Sequence, residues 1–224
     1  MNILLVRPNT PKNSINLQSF MICEPLELEY VSSALINDGH NVDLIDMLLE
    51  KKPLKYFLKQ KNYEMVCFTA YITTVGMVKK YSKIVKEFNQ SIKTAVGGVH
   101  AEVVPTDFSD ENIDYILWAN GVNTLLEVIK QYPNVNKDEI FGLYRGENSI
   151  KPPIVNGNLI KPNRDITLKY RKNYNYIFHN NCATIKTSYG CPYKCSFCFC
   201  TRVCDYSTRI LEDVLDELEA IKED

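Results

Sequence analysis

Short apolar runs alternate with amphipathic, helix-like stretches through the first half of the chain. The run from Ile3 to Val6 has no polar interruption, as expected for a strand buried on both faces of a sheet. Residues 77–88 instead place their apolar side chains about 3.6 residues apart, which predicts an amphipathic helix. The pattern predicts, in order, a strand at 3–6, a helix from Leu26 to a C-cap at Gly39, a strand at 42–46, a short helix at 54–58, a strand at 65–70, the helix at 77–88, strands at 93–96 and 114–118, and a helix at 125–129 that Pro133 closes. Such alternation predicts an α/β fold with a parallel, helix-covered sheet.

The loops that follow the predicted strands are the places to look for a ligand, because parallel sheets bind ligands beyond the carboxyl ends of their strands. These loops, at 7–10, 69–74, 97–102 and 119–123, are rich in Gly, Thr and Asn. That composition suits a backbone that approaches a ligand, and it is equally typical of ordinary turns. The chain contains neither G-x-G-x-x-G nor G-x-x-x-x-G-K-[ST], so a dinucleotide or P-loop site is not favoured.

The second half of the chain has a different pattern. Residues 136–180 contain Gly, Pro and Asn-Gly signals, which predict a linker with a small hairpin: short β pieces around Leu143 and Ile154, and a turn at Asn156–Gly157. A strand at 182–188, a cysteine-rich loop and a helical pattern from Ser207 follow. The chain thus divides into a domain at 1–135, the linker, and a third segment at 181–224. In the helical pattern that begins at Ser207, one face carries six apolar residues: Ile210, Leu211, Val214, Leu215, Leu218 and Ile221.

Composition narrows the chemistry further. The formal net charge is −1, which gives no reason to expect nucleic acid or an anionic membrane as a partner. No apolar run approaches the roughly 18 residues of a membrane span, and the N-terminus has neither a basic lead nor a signal cleavage site. We therefore expect a cytoplasmic protein, in which the eight cysteines bind metal or do chemistry rather than form a disulfide framework.

Five of the eight cysteines lie between residues 188 and 204. Cys191, Cys195 and Cys198 have the spacing C-x3-C-x2-C, and their thiolates are soft ligands suited to zinc or to an iron–sulfur centre. Three ligands leave one coordination position open, which in zinc proteins separates reactive from structural sites and by analogy does so here. Alternatively, Cys200 or Cys204 completes a structural zinc site of four cysteines, although the second separated C-x2-C pair of such modules is absent.

The stretch GCPYKCSFC resembles the C-x3-C-x-aromatic-C cluster motif of the radical SAM superfamily, with Phe197 at the aromatic position. The predicted strand before it and helix after it match the first βα unit of that family's (β/α) barrel. The resemblance implies that Cys191, Cys195 and Cys198 bind three irons of a 4Fe–4S cluster. The fourth iron would bind S-adenosyl-L-methionine, which is cleaved reductively to a radical, and Phe197 would pack near the adenine. By type alone, Phe197 is equally consistent with a core aromatic of the loop.

The same resemblance implies the other participants in the reaction: a small-molecule or peptide substrate, and a reductant such as flavodoxin or ferredoxin. Cys200 and Cys204 lie outside the motif and have no predicted role.

Two further stretches, LELEYVSSALINDGHNVDLID and AVGGVHAEVVP, resemble the cobalamin-binding domain of cobalamin-dependent radical SAM enzymes. This resemblance implies a Rossmann-like domain over residues 1–135. The candidate cobalamin contacts are chosen only by their position at strand ends: Thr73, Thr74, Gly97, Gly98 and Gly121.

The chain departs from that family in two places. The D-x-H-x-x-G signature, whose histidine replaces the lower cobalt ligand, is absent, because neither His40 nor His100 fits it. The stretch ANGVN at 119–123 stands where relatives show an acidic G-E-G-E-like sequence, which puts ligand binding at this loop in question.

Only one βα unit fits between residue 182 and Asp224, so we expect either a fragment or a barrel completed by a second polypeptide. The leading hypothesis is a cobalamin-linked radical SAM enzyme that transfers methyl groups or catalyses a rearrangement or cyclisation. The alternatives are a non-catalytic corrinoid- or cluster-binding module and a zinc-stabilised binding domain. The chain alone is expected to show weak turnover or none.

Overall fold

The computed structural model describes residues 1–11, 20–146, 149, 151–152, 161–203 and 205–223. Its strands and helices are, in chain order, β1 (Asn2–Arg7), β2 (Met21–Ile22), α1 (Leu26–Asn37), β3 (Asn41–Asp46), α2 (Leu54–Leu58), β4 (Met65–Thr69), α3 (Val75–Phe88), β5 (Lys93–Gly97), α4 (Val99–Val103), β6 (Tyr115–Ile116), α5 (Gly121–Gln131), β7 (Asn175–Tyr176), β8 (His179–Asn180), β9 (Ser188–Tyr189), α6 (Cys200–Val203), β10 (Ser207–Thr208) and α7 (Leu211–Glu223). Short 3₁₀ helices cover Ile72–Thr74, Pro105–Phe108 and Lys137–Glu139, and a longer one covers Arg164–Asn173.

Five parallel strands form the central sheet in the order β3-β1-β4-β5-β6. The chain first winds from β1 to β3 on one side and then continues from β4 on the other side of β1. The winding therefore reverses between β1 and β4, and the crevice beyond the carboxyl ends of these two strands is the expected ligand position in such a sheet. The α/β, Rossmann-like prediction for the N-terminal domain is confirmed.

Helices cover both faces of the sheet, and β1 shows how the sequence produces this arrangement. Because successive side chains on a strand point to opposite faces, the all-apolar run of β1 serves two cores. Leu4 and Val6 pack in one core with α2 and α3, whereas Ile3 and Leu5 pack in the other with α1 and α5. All four side chains are fully buried.

The elements predicted in the first half of the sequence are present, with small shifts at their ends. Helix α2 has the predicted bounds, and α1 ends at Asn37, two residues before Gly39, whose φ of +86° fits the predicted C-cap turn. Helices α3 and α5 begin earlier than predicted, at Val75 and Gly121. The strand predicted at 114–118 is reduced to β6, because only Tyr115 and Ile116 pair with β5.

The described part of the linker contains a hairpin near its end that was not predicted. Around Leu143 there is one isolated bridge, to Leu117, while the pieces predicted at Ile154 and Asn156–Gly157 lie outside the described residues. The observed hairpin is β7–β8, which extends β2 into a three-stranded antiparallel sheet.

The end of the linker is joined to the edge of the central sheet through Asp46, at the carboxyl end of β3. The Asp46 carboxylate accepts hydrogen bonds from Nε of Arg7 at 2.9 Å and from the hydroxyl of Tyr174 at 3.2 Å. Asp46 is fully buried and Arg7 nearly so, so this ion pair has the hydrogen bonds that a buried pair requires.

The strand predicted at 182–188 is wrong: residues 182–187 form no regular structure, and only Ser188 and Tyr189 pair, with β10. Three backbone groups of residues 182–187 bond to side chains rather than to a neighbouring strand. The Thr184 N–H donates to the Glu24 carboxylate, and the Thr184 carbonyl accepts from Nη2 of Arg164 at 2.8 Å. The Lys186 carbonyl accepts from Nη1 of Arg209, also at 2.8 Å.

The last helix begins at Leu211 rather than at Ser207, because Ser207 and Thr208 pair with β9. Most of its predicted apolar face is exposed; the exposed members are Ile210, Leu211, Leu215 and Leu218. Only Val214 of that face is buried, together with the acidic Glu217. Among the described residues, no helix is long and apolar enough to cross a membrane.

Candidate functional site

A cavity of about 640 Å³ lies beyond the carboxyl ends of the central strands, and we call it the sheet-edge cavity. Its volume is within the range of small-molecule sites. Its first wall comes from the ends of β4 and β5 and the starts of α1 and α5. Its second wall comes from the segment that leads into the cysteine loop and from the residue that ends α6; these residues are Thr184, Ile185, Lys186, Tyr189 and Val203.

Three of the five residues predicted as contacts line this cavity: Gly97, Gly98 and Gly121. Gly98 has φ +96°, and a Cβ there would lie 2.9 Å from both the Ala70 nitrogen and Thr69 Oγ1. Glycine is therefore required for the backbone to turn at this point. A Cβ on Gly121 would meet no atom within 4 Å, so its backbone is open to a ligand.

The two predicted threonines do not line the cavity. Thr73 is exposed, and the buried Thr74 uses its Oγ1 to close a turn with the Tyr71 backbone, with two bonds of 3.0 Å. Thr69 and Asn120 line the cavity instead. Asn120 has φ +49° and directly precedes α5, so the turn that begins this helix borders the cavity.

Carboxylates on the cavity wall were not predicted from the sequence. Oε1 of Glu27 accepts hydrogen bonds from the Tyr71 hydroxyl at 2.9 Å and from Thr69 Oγ1 at 3.3 Å. Glu102 of α4 also lines the cavity, and burial raises the pKa of its carboxyl to about 7. In the sequence, Glu27 belongs to the L-E-L-E stretch at the start of α1. Acidic residues are common at this position because they stabilise a helix N-terminus, so the stretch alone does not indicate a ligand site.

A buried group of charged side chains, the Arg164 network, joins the two walls; it comprises Glu24, Arg164, Arg209 and Glu217. Arg164 pairs with Glu24 and also donates from Nη2 to Glu217 at 2.5 Å. Glu217 in turn accepts from Nη1 of Arg209 at 2.5 Å. The network thereby connects the start of α1, the linker and α7, and holds residues 184–186 against the cavity.

Glu29 lies beside this network and is fully buried. Its Oε1 accepts from Thr167 Oγ1 at 2.5 Å, and its Oε2 is 3.8 Å from Nη1 of Arg164. Burial, and next the neighbouring Glu24 carboxylate, raise the pKa of Glu29 to about 7. The Glu29 carboxyl therefore gains a proton on folding near neutral pH.

The cysteine loop is attached to the cavity at both of its ends, because Tyr189 precedes it and Val203 follows it. Cys191, Cys195 and Cys198 are free thiols at the surface, and the Cys198 N–H donates to the Cys195 carbonyl at 3.1 Å in a turn. Three thiols suit an iron–sulfur cluster as a donor set. Across the ranges that the structure describes, however, no three potential ligand side chains converge on one point.

Two other predicted features of this loop have defined positions. Phe197 is 91% exposed and does not line the cavity. Cys200 begins α6 as a partly buried thiol, and Cys204 lies outside the described residues.

Neither histidine singled out from the sequence borders the cavity. Nε2 of His100 hydrogen-bonds with Asp107 at 2.7 Å and the ring packs edge-on against Phe108. His40 lies at the opposite edge of the sheet, where its ring nitrogens bond to Asp38 and to the terminal amine of Met1. Of the two cavity cysteines, Cys67 is buried, which raises the pKa of its thiol to about 12 and keeps it protonated.

Comparison with known proteins identifies relatives of the chain. The family model "B12 binding domain" matches residues 15–129. The chain is 33% identical over 218 residues to the hopanoid C-3 methylase of Methylococcus capsulatus, covering 91% of this chain and 41% of the relative. It is 28% identical to an uncharacterized methyltransferase of Pyrococcus horikoshii (88% of this chain, 45% of the relative). It is 24% identical to the anaerobic magnesium-protoporphyrin IX monomethyl ester cyclase of Rubrivivax gelatinosus (99% and 42%). The chain thus spans less than half the length of these relatives.

Proposed function

Because this chain belongs to the B12-binding domain family, we propose that the sheet-edge cavity binds cobalamin as part of a radical SAM enzyme. Glycines at the cavity support this assignment. Gly98 lets the backbone turn where a Cβ would collide, and Gly121 presents open backbone at the start of α5. The position at the winding reversal of a parallel sheet supports it as well.

The observation that carries the radical SAM part is the attachment of the cysteine loop to the cavity. Tyr189, two residues before Cys191, and Val203, five residues after Cys198, both line the cavity wall. A cluster held by Cys191, Cys195 and Cys198 would therefore lie next to the bound corrin. Metal binding couples to folding, and we propose that these three thiols converge when iron and sulfide are supplied.

The cofactors would supply the hard chemistry, namely reductive cleavage of S-adenosylmethionine and methyl or radical transfer, while the protein binds and orients them. Phe197 remains our predicted contact for the adenine. The substrate, a small molecule or peptide, and the reductant, of flavodoxin or ferredoxin type, are part of the proposal. The relatives' names include a methylase, a methyltransferase and a cyclase, which supports methyl transfer or radical cyclisation.

Variants of the cysteine loop test the cluster. After anaerobic reconstitution with iron and sulfide, the protein should be brown and bleach with dithionite. The single variants Cys191→Ala, Cys195→Ala and Cys198→Ala should lose the colour, whereas the matched control Cys200→Ala should keep it. Colour that depends equally on Cys200 would instead indicate four cysteine ligands and would contradict an open position for S-adenosylmethionine.

A variant of Gly121 tests the cavity. Gly121→Leu adds a side chain where the backbone has open space, so we expect no loss of stability but at least about tenfold weaker retention of hydroxocobalamin. Gly76→Leu, at an equally open position on α3 that does not line the cavity, is the control. Unchanged retention in Gly121→Leu would place the corrin elsewhere. Corrin retention without any iron–sulfur colour would favour the non-catalytic corrinoid-binding module.

A further inference from the structure

The sheet-edge cavity carries more negative than positive groups. Of its described lining residues, Glu24, Glu27 and Glu102 carry carboxyl groups, and Lys186 is the single basic side chain. Burial raises the pKa of Glu102 to about 7, so at pH 8 it is mostly ionised and adds to the negative potential. A ligand that fits this wall must offer hydrogen-bond donors rather than further acceptors.

Glu24 does not supply an acceptor to the cavity. It is 4% exposed, and its Oε1 is bonded to the Arg164 guanidinium and to the Thr184 N–H. Its Oε2 has no hydrogen-bond partner among the described residues but is enclosed by the protein, so a ligand in the cavity does not reach it.

Two hydrogen bonds hold the Glu27 carboxylate in a fixed orientation at the cavity wall. The hydroxyls of Tyr71 and Thr69 both donate to its Oε1. A carboxylate has two oxygens and about four acceptor positions, so Glu27 can accept further bonds from a ligand. Because the two hydroxyls fix the carboxylate beforehand, little side-chain freedom is lost on binding.

The corrin ring of cobalamin carries primary carboxamides on its rim, which are neutral and donate N–H hydrogen bonds. Resting on the proposed function, we propose that Glu27 accepts a hydrogen bond from one of these carboxamides and thereby selects amidated corrins over corrins with free carboxylates. A carboxylate in place of such an amide would remove the donor and set two negative charges side by side.

The test compares cobalamin with its monocarboxylic acids, each having one rim amide hydrolysed. Dissociation constants are measured at pH 8 by absorbance titration of the full chain. We expect at least one acid to bind about tenfold more weakly than cobalamin. In Glu27→Gln, whose amide can donate to a carboxylate, that difference should shrink to about threefold or less. Glu111→Gln, at an exposed site away from the cavity, should retain the difference.

The possible results separate the two proposals. Binding of cobalamin and all its acids with equal affinity to the unaltered chain would overturn the carboxamide proposal without requiring any variant. Discrimination that persists unchanged in Glu27→Gln would overturn it as well. If the chain binds no corrin at all, the proposed function itself fails.

Discussion

Gly98 is the residue whose conformation most directly shapes the cavity. In Gly98→Ala the new Cβ would approach the Ala70 nitrogen and Thr69 Oγ1 at 2.9 Å, in a left-handed conformation. We expect the free energy of unfolding to fall by about 2 kcal/mol, from steric overlap and backbone strain together. Urea denaturation measures this change.

The control for Gly98 is Gly76→Ala on α3, where a Cβ meets nothing within 4 Å. Alanine is the better helix former, so this variant should be more stable by about 0.5–1 kcal/mol. Equal effects of the two substitutions would mean that the backbone at Gly98 is not constrained as described.

Glu29 should make stability depend on pH. Its pKa is raised from 4.5 to about 7 in the folded protein. The stabilisation by its proton is fully present below about pH 4.5 and is lost as the pH rises to about 7. Relative to Glu29→Gln, the unaltered protein should lose about 2–3 kcal/mol of unfolding free energy between pH 5 and pH 8. Urea unfolding of both proteins at the two pH values tests this; parallel pH dependences would show that Glu29 titrates normally.

The sequence places residues at the cavity where their backbone position decides this, and not where side-chain partners decide it; contact with cobalamin stays a prediction. Gly97, Gly98 and Gly121 lie at strand ends, and position alone places them at the cavity. Thr74 shares that position, but its hydroxyl is used by the Tyr71 backbone. The L-E-L-E stretch did not distinguish Glu27 from an ordinary helix-start residue, because its role depends on Thr69, which is distant in the sequence.

At the scale of elements, α7 is held by the buried Glu217 as well as by Val214, while most of its apolar face is exposed. Glu217→Gln removes the charge shared by Arg164 and Arg209. Breaking a buried ion pair costs about 3–5 kcal/mol, and we expect a loss in this range. Hydrogen exchange should also become faster in residues 184–189 and α7, because the network holds both against the cavity. The exposed Glu219→Gln is the control, and equal exchange in both variants would contradict this role.

The central elements could be predicted because each has a local pattern that agrees with its environment: β1 is apolar throughout and buried on both faces. The segment 182–188 has a strand-like sequence, yet its backbone bonds go to Glu24, Arg164 and Arg209. A strand needs a neighbour, and the sequence of a segment does not state whether one is present. The hairpin predicted in the linker around Asn156–Gly157 lies outside the described residues and stays a prediction.

For the whole molecule, most of the apolar face of α7 is exposed, and Cys195 of the cysteine loop is exposed as well. We therefore expect weak or no release of 5′-deoxyadenosine from the reconstituted chain, since catalysis requires a site that excludes water. Product quantification under anaerobic conditions with dithionite tests this. Robust turnover by this chain alone would contradict the expectation.

The central claim is that one chain holds an iron–sulfur cluster and a corrin side by side. Its most direct test is metal analysis after anaerobic reconstitution with iron, sulfide and hydroxocobalamin, followed by desalting. The account predicts about four irons and about one cobalt per chain. Zinc in place of iron, or cobalt that elutes entirely free of the protein, would contradict it.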